Sequence, residues 1–173
     1  RPIHIWQSAA AILFLLLASS VYLSTVGTKA ETDLLQQYIP IAEMRSLTLP
    51  DGTKVQLNSK STLLYPHEFT GDSRSVFLLG EANFKVKPDK KRPFIVKSND
   101  LQITALGTEF NVSAYPESQE IATTLISGSI RVDYNNLTTS VILHPNEQFA
   151  YNRNNKKYDL SNPDMDDVTA WQR

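Results

Sequence analysis

The chain is 173 residues long, with a formal charge of −1 and no cysteine. Near-balanced charge, with no basic cluster beyond Lys87 to Arg92, excludes the electrostatic footprint of a nucleic-acid partner. The missing thiols exclude a disulfide framework and thiolate chemistry, and the length suits one ordinary domain with a short appendage.

The appendage comes first. Residues 5–28 carry no charge and centre on the apolar stretch Ala9 to Ala18. A helix of about 20 mostly apolar residues crosses a hydrocarbon core of roughly 30 Å. The run therefore predicts one transmembrane helix within residues 1–28, with Trp6 and Tyr22 at headgroup level. Two other uses stay open: a cleavable secretory signal followed by the small residues Ser19 and Ser20, and a buried core helix. Apolar character that continues through Val21, Tyr22, Leu23 and Val26 favours the anchor.

Residues 29–45 read as a tether, with a short helix expected from near Thr32 until Pro40 stops it. From Met44 the apolar period becomes two. The turn Pro50-Asp51-Gly52 leads into a strand over Thr53 to Asn58. The clearest alternation places Val76, Leu78, Gly80, Ala82, Phe84 and Val86 on a core face, and Phe77, Leu79, Glu81, Asn83, Lys85 and Lys87 on the other. Gly80 marks a bulge or a close backbone approach. Lys87 to Arg92 reads as a solvated turn between strands.

Further strands begin at Phe94 and at Leu101, whose apolar set Leu101, Ile103 and Ala105 is odd-numbered. The set then becomes even at Leu106, Phe110, Val112 and Ala114, so a bend or bulge is required at Leu106-Gly107-Thr108. The same flip recurs between Ile121, Thr123, Leu125 and Ile130, Val132, Tyr134, across Ser127-Gly128. Val141 to Leu143 and Gln148 to Tyr151 are the last strands, separated by the turn His144-Pro145-Asn146-Glu147. Asn152 to Lys157 is a polar tip, and Asp164 onward reads as a helix start or a linker, with Asp166 and Asp167 suited to a helix N-terminus. Short, closely spaced strands predict an all-β domain of sandwich, barrel or irregular β-helix type after the N-terminal helix. The divisions are an anchor over 1–28, a tether over 29–45, the β domain over 46–158 and a linker or further domain start over 159–173.

Groups that could perform chemistry are sparse. His4, His67 and His144 are isolated, without the spacing of a zinc site. No G-x-S-x-G elbow occurs, and Ser127-Gly128-Ser129 has no partner base nearby in sequence. Glu81 and Glu109 are the one pair available for glycoside cleavage, although strand-face glutamates are usually solvated. Asn111 and Asn136 open glycan-acceptor tripeptides, which matter only in a glycosylating host. No catalytic residue, cofactor or metal is expected.

Six blocks resemble the FecR domain of bacterial anti-sigma regulators. They contain Leu49, Pro50, Asp51, Gly52, Leu57 and Asn58; Gly80, Glu81 and Phe84; Pro93 and Phe94; Leu106, Gly107, Thr108, Phe110, Asn111 and Val112; Gly128; and Pro145. Their order and spacing cover most of Leu47 to Tyr151. The resemblance implies a twin-layered β-helix in the periplasm, held by a single-pass inner-membrane helix with its N-terminus in the cytoplasm. It further implies two partners. One is an extracytoplasmic-function sigma factor, bound by a cytoplasmic region before Arg1. The other is the signalling domain of a TonB-dependent outer-membrane transporter, tied to iron or polysaccharide uptake. On that pattern the chain is expected to be a fragment, stopping where a small α/β domain begins. The segment Asn152 to Lys157 is the expected docking edge. The competing expectation is a periplasmic carbohydrate- or cell-wall-binding module, with Phe77 as its exposed aromatic.

Overall fold

Runs in which only alternate residues are apolar bury one face each, so such strands must stack face to face. The computed structural model describes residues 13–21, 34–38, 43–134 and 136–172. Contacts divide the chain into the units Arg1–Thr32 and Asp33–Arg173.

In the first unit, residues 13–21 form helix α1, with Leu13 to Leu17 and Val21 exposed. The nine described residues of this helix cover about 14 Å. Among the described residues no helix is long and apolar enough to cross a membrane. The remainder of the 5–28 run, including Trp6 and Tyr22, lies outside the described residues.

The second unit contains β1 (Leu34–Tyr38), β2 (Arg45–Thr48), β3 (Lys54–Leu57), β4 (Thr62–Pro66), β5 (Arg74–Lys85), β6 (Phe94–Lys97) and β7 (Gln102–Ala105). It continues with β8 (Glu109–Ala114), β9 (Glu120–Ser127), β10 (Ile130–Tyr134), β11 (Thr139–Leu143), β12 (Gln148–Asn152), β13 (Lys157–Ser161) and the helix α2 (Met165–Thr169). One layer runs β1-β4-β5-β6-β7-β10-β11 and the other β2-β3-β5-β8-β9-β12-β13. Among the described residues every pairing is antiparallel except β5 with β6. The chain thus alternates between layers, usually two strands at a time, and β5 belongs to both. Rings join the layers: Phe84 meets Phe94 at 6.0 Å and Tyr134 meets Phe149 at 5.3 Å.

Residues 34–38 form a strand paired with β4, which corrects the expected tether helix. Gln36 and Gln37 hydrogen-bond competently in either state, and cross-strand pairing with a half-buried Leu35 outweighs a short helix that Pro40 would truncate. The parity flips have one cause: each falls where the chain leaves one layer for the other. Between β7 and β8 it turns at Gly107, which has φ +151° and sits against Pro88. Between β9 and β10 it turns at Gly128, with φ +92°. Leu106, expected on the apolar face, is instead exposed at the outside of that turn. A further irregularity lies at Glu109/Phe110.

Strand β5 changes layer without changing parity, because it bends as one piece at Gly80. There φ is +100°, and an added Cβ would lie 2.7 Å from the Ser61 Cα. Ser61 occupies that space productively, since its hydroxyl accepts the Glu81 backbone N–H at 2.8 Å.

At the start of β5, Arg74 is 1 % exposed, on the same parity as Val76 and Leu78. Its Nη1 donates to Asp51 Oδ2 at 2.7 Å and to the Lys87 carbonyl at 2.9 Å, and its Nε donates to the Arg92 carbonyl at 2.9 Å. Asp51 in turn accepts the Thr53 N–H and hydroxyl, and the guanidinium lies 5.5 Å from the Phe94 ring centre. The Lys87 to Arg92 turn is therefore held inward through its carbonyls while its charges face water. Asp89 keeps the turn closed, its carboxyl held below its usual pKa by the Lys91 and Arg92 N–H groups.

Removing one partner of a buried ion pair leaves the other unneutralised, so Asp51→Ala is expected to lower unfolding free energy by about 3–5 kcal/mol in urea titration. A loss under about 1 kcal/mol would show that the pair is dispensable. Gly80→Ala is expected to lower the melting temperature more than Gly71→Ala, because nothing lies within 4 Å of a Cβ at Gly71. Equal shifts would refute a backbone constraint at Gly80.

Candidate partner-binding surface

The residues that carry the sequence resemblance do not converge on one pocket. Leu49, Leu57, Phe84, Phe94, Phe110 and Val112 are core, with Phe84 stacked on Phe110 at 5.4 Å. Pro50, Asp51 and Gly52 form the turn beneath Arg74, and the Pro93 carbonyl accepts the Arg74 N–H. Buried Thr108 packs against the position a Cβ would take at Gly128, and its carbonyl accepts the Val86 N–H. Pro145 is exposed in the 144–147 turn, where Glu147 Oε2 accepts the His144 N–H at 2.8 Å.

Asn58, Glu81 and Asn111 do meet, on the outward face of the second layer. Glu81 accepts from Asn58 Nδ2 and Asn111 Nδ2, both at 2.9 Å. Asn83, expected on the solvent side, is 5 % exposed. It lies between Gln56 and Asn111 in the sheet register, and its Nδ2 is 3.4 Å from Glu109 Oε1.

Glu109 pairs with Lys85 at 3.2 Å. Lys85 is opposite Glu109 and Glu81 is opposite Ser113, so four strand residues, about 13 Å, separate the two glutamates along the sheet. Each carboxylate is already engaged, Glu109 by Lys85 and Glu81 by Asn58 and Asn111. His67 and His144 are exposed, and no metal-holding group of acidic, His or Cys residues occurs among the described residues.

A cavity of about 340 Å³ opens beside the β12–β13 turn and brings together residues far apart in sequence. Phe77 comes from β5, Lys97 from β6, Asp100 and Leu101 from the following turn, and Tyr151 and Lys156 from β12 and its turn. Each lysine lies near a ring: Lys97 is 5.5 Å from the Phe77 centroid and Lys156 is 5.9 Å from that of Tyr151. The β12–β13 turn is braced by Arg153, whose Nε donates to Asp100 Oδ2 at 3.0 Å. Its Nη1 donates to the carbonyls of Tyr115, Pro116 and Ser118. Arg153 is therefore framework, while residues 154–157 are exposed.

After that turn comes β13, a strand that begins inside the expected polar tip. It is the outermost strand of its layer, pairs with β12, and presents Tyr158 and Leu160 at 44 % and 48 % exposure. Tyr158 stacks on Phe149 at 5.1 Å and meets Tyr134 edge-on at 5.2 Å. The chain then enters α2, capped by Asp164 with Asp166 and Asp167 in the first turn. Trp171 lies beside Met44, Arg45 and Gln56 around a smaller cavity.

Arg74 and Arg153 went unnoticed in the sequence. Arg74 left a signal, a lone cation on apolar parity, whereas Arg153 sits in a polar tip like many solvated arginines.

Together these features define an all-β, two-layered domain with an open sheet edge and no assembled catalytic cluster among the described residues. The FecR protein family model matches residues 39–131, and the chain belongs to the FecR family. Two crystal structures of a proposed anti-sigma factor from Parabacteroides distasonis ATCC 8503 superpose with a TM-score of 0.77 each, at 39 % and 38 % identity over 80 % of this chain. The chain spans 64 % of the length of those relatives. No curated protein matches.

Burial raises the pKa of the Tyr134 hydroxyl, and the adjoining Tyr158 and Tyr151 raise it further. Such a group favours the fold fully below the unfolded tyrosine value of about 10, and that contribution is lost as pH climbs through the raised folded value. Unfolding free energy is therefore expected to fall above about pH 10, and to fall less in Tyr134→Phe. Identical alkaline slopes in urea titrations of the two proteins would refute this.

Proposed function

We propose that the chain is the anchored periplasmic part of an anti-sigma regulator, which relays a signal by protein–protein binding and without catalysis. In this reading residues 1–28 cross the inner membrane and the β domain receives the signalling domain of a TonB-dependent outer-membrane transporter. Relay to an extracytoplasmic-function sigma factor follows on the cytoplasmic side. Membership of the FecR family supports the regulatory class, and the likeness to a proposed anti-sigma factor supports the sigma-directed output.

The observation that carries the receiving role is β13. A terminal strand leaves a row of N–H and C=O groups available to a partner strand, and its side chains supply pockets or anchors for specificity. Here the edge bears the exposed Tyr158 and Leu160 and adjoins the cavity containing Phe77 and Lys156. Edge pairing suits a relay, because main-chain bonds give modest, reversible affinity and Arg153 ties the same turn to both layers. A receptor without catalysis acts only through differential binding, and a strand that joins or leaves an edge provides two states to bias.

Photocrosslinkers at Asp159 and Asn155 in the full chain, reconstituted in membranes, are expected to capture the signalling domain of the transporter encoded beside it. A crosslinker at Ser46 on the opposite edge is expected to capture none. Capture at Ser46 alone would reject the β13 edge, and capture at no position would reject the relay reading.

A further inference from the structure

One row on the outward face of the second layer is closed to solvent although it faces away from the core. Ser46, Gln56, Asn83, Asn111, Thr124 and Gln148 stand opposite one another on successive strands, ending at Ser161 of β13. Its middle is buried, with Asn83, Asn111 and Thr124 at 5 %, 5 % and 1 % exposure. The rows on either side, one through Lys85 and Glu109 and the other through Glu81, Ser113 and Ala122, contain no buried residue. Whatever closes the middle row is therefore narrow and runs along it.

The segment after β13 begins and ends on this row. It leaves at Ser161, next to which Asn162 Nδ2 donates to the Asn146 carbonyl at 3.2 Å, and it brings Trp171 and Gln172 against Ser46 and Gln56. In between, α2 and the 3₁₀ turn Ala170–Gln172 are half-buried at Met165, Val168, Thr169, Trp171 and Gln172 and exposed at Asp166, Asp167 and Ala170. That alternation has the helical period, so one side of the segment is seated, and its apolar members Met165, Val168 and Trp171 are on that side.

We propose that residues 162–172 are a strap that lies along the row, closes it, and releases as a unit while the two layers stay folded. Two features favour release. The helix α2 has five residues, too few to persist alone, and none of them is fully buried. The seat is also unmatched in hydrogen bonding on both sides: Trp171 Nε1 and Gln172 Nε2 on the strap, and Asn83 Oδ1 and Asn111 Oδ1 in the row, are buried without a partner. The strap atoms are donors and the row atoms acceptors, so water satisfies all four once the strap lifts.

Release uncovers a band of amides and hydroxyls that crosses the whole second layer. The seated and lifted forms are two states of one chain, which is what a receptor acting through differential binding requires. The strap springs from β13, the strand that the relay reading assigns to the partner. Its seating and release are nevertheless properties of this chain alone, so the inference stands or falls apart from that reading.

The test uses the full chain in detergent micelles. The chain has no cysteine, so Thr124→Cys places a single thiol in the buried middle of the row, and its alkylation by iodoacetamide reports how often the row is uncovered. Asp164→Ala, which removes the α2 cap, is expected to speed that alkylation about fivefold with an unchanged melting temperature. A second measurement leaves the sheet unaltered: a photocrosslinker at Val168 is expected to join β3, β5 or β8, the strands of Gln56, Asn83 and Asn111. An alkylation rate that Asp164→Ala leaves unchanged would overturn the proposal. So would crosslinks from Val168 to none of those strands, or a faster alkylation matched by a lower melting temperature, because the layers would then open together with the strap. Capture of a partner at Asp159 or Asn155 is a separate result, and the relay reading is judged on it alone.

Discussion

A buried arginine holds this domain together. Arg74 is enclosed at the point where β5 begins, and its charge is neutralised by Asp51, which the chain places in a turn 23 residues earlier. A guanidinium in such a position is tolerated only when its fixed fork of donors finds acceptors, and here one carboxylate and two backbone carbonyls supply most of them. Because those acceptors come from the 50–52 turn and the 87–92 turn, Arg74 fixes the relative position of three segments at once. Apolar packing could supply comparable stability, but it would not specify which turn goes where. The ion pair and its directed hydrogen bonds do so.

Around this node the layers are sewn by alternation. The chain lays strands in one layer, crosses and lays strands in the other, and two of these crossings reverse the parity of the inward residues. Gly107 and Gly128 make these reversals, the first with the Pro88 Cα and the second with the Thr108 methyl approaching where a Cβ would stand. Gly80 solves a different problem, letting a twelve-residue strand curl from one layer into the next while its inward residues stay inward. The framework is therefore redundant in its packing and specific at a few backbone positions. Its surfaces are left free to differ: an open edge at β13, a ring-and-lysine cavity beside it, and an amide row on the second layer. Non-local pairing throughout makes the surfaces dependent on the whole, since none is formed by a single segment.

The alternation of Val76 to Val86, the strand-rich character of the domain and the need for bends near Gly107 and Gly128 were legible in the sequence, because a two-residue period and a parity change follow directly from strand geometry. The short segment at Leu34 was misread as helix, since local propensity is weak there and pairing with β4 decides the outcome. Leu106 was assigned inward by its even parity with Phe110, Val112 and Ala114, yet it is exposed at a turn. Asn83 was assigned outward correctly by parity, but parity says nothing about what neighbours enclose, and it is only 5 % exposed. The Asn58, Glu81 and Asn111 cluster was present as separate polar letters, and its assembly required the register between β5 and β8.

By itself the sequence determined the period, the turns, the family resemblance and the greasy N-terminal run, all of which depend on residues adjacent or nearly adjacent in the chain. Only the tertiary structure decided that Asp51 belongs to Arg74, that Arg153 belongs to Asp100, that β13 is an edge and that six polar side chains fall into one row. The physical reason is that strand order and register are set by the free energy of pairing distant segments, which no local pattern encodes. A side chain acquires its partner only when that pairing is complete.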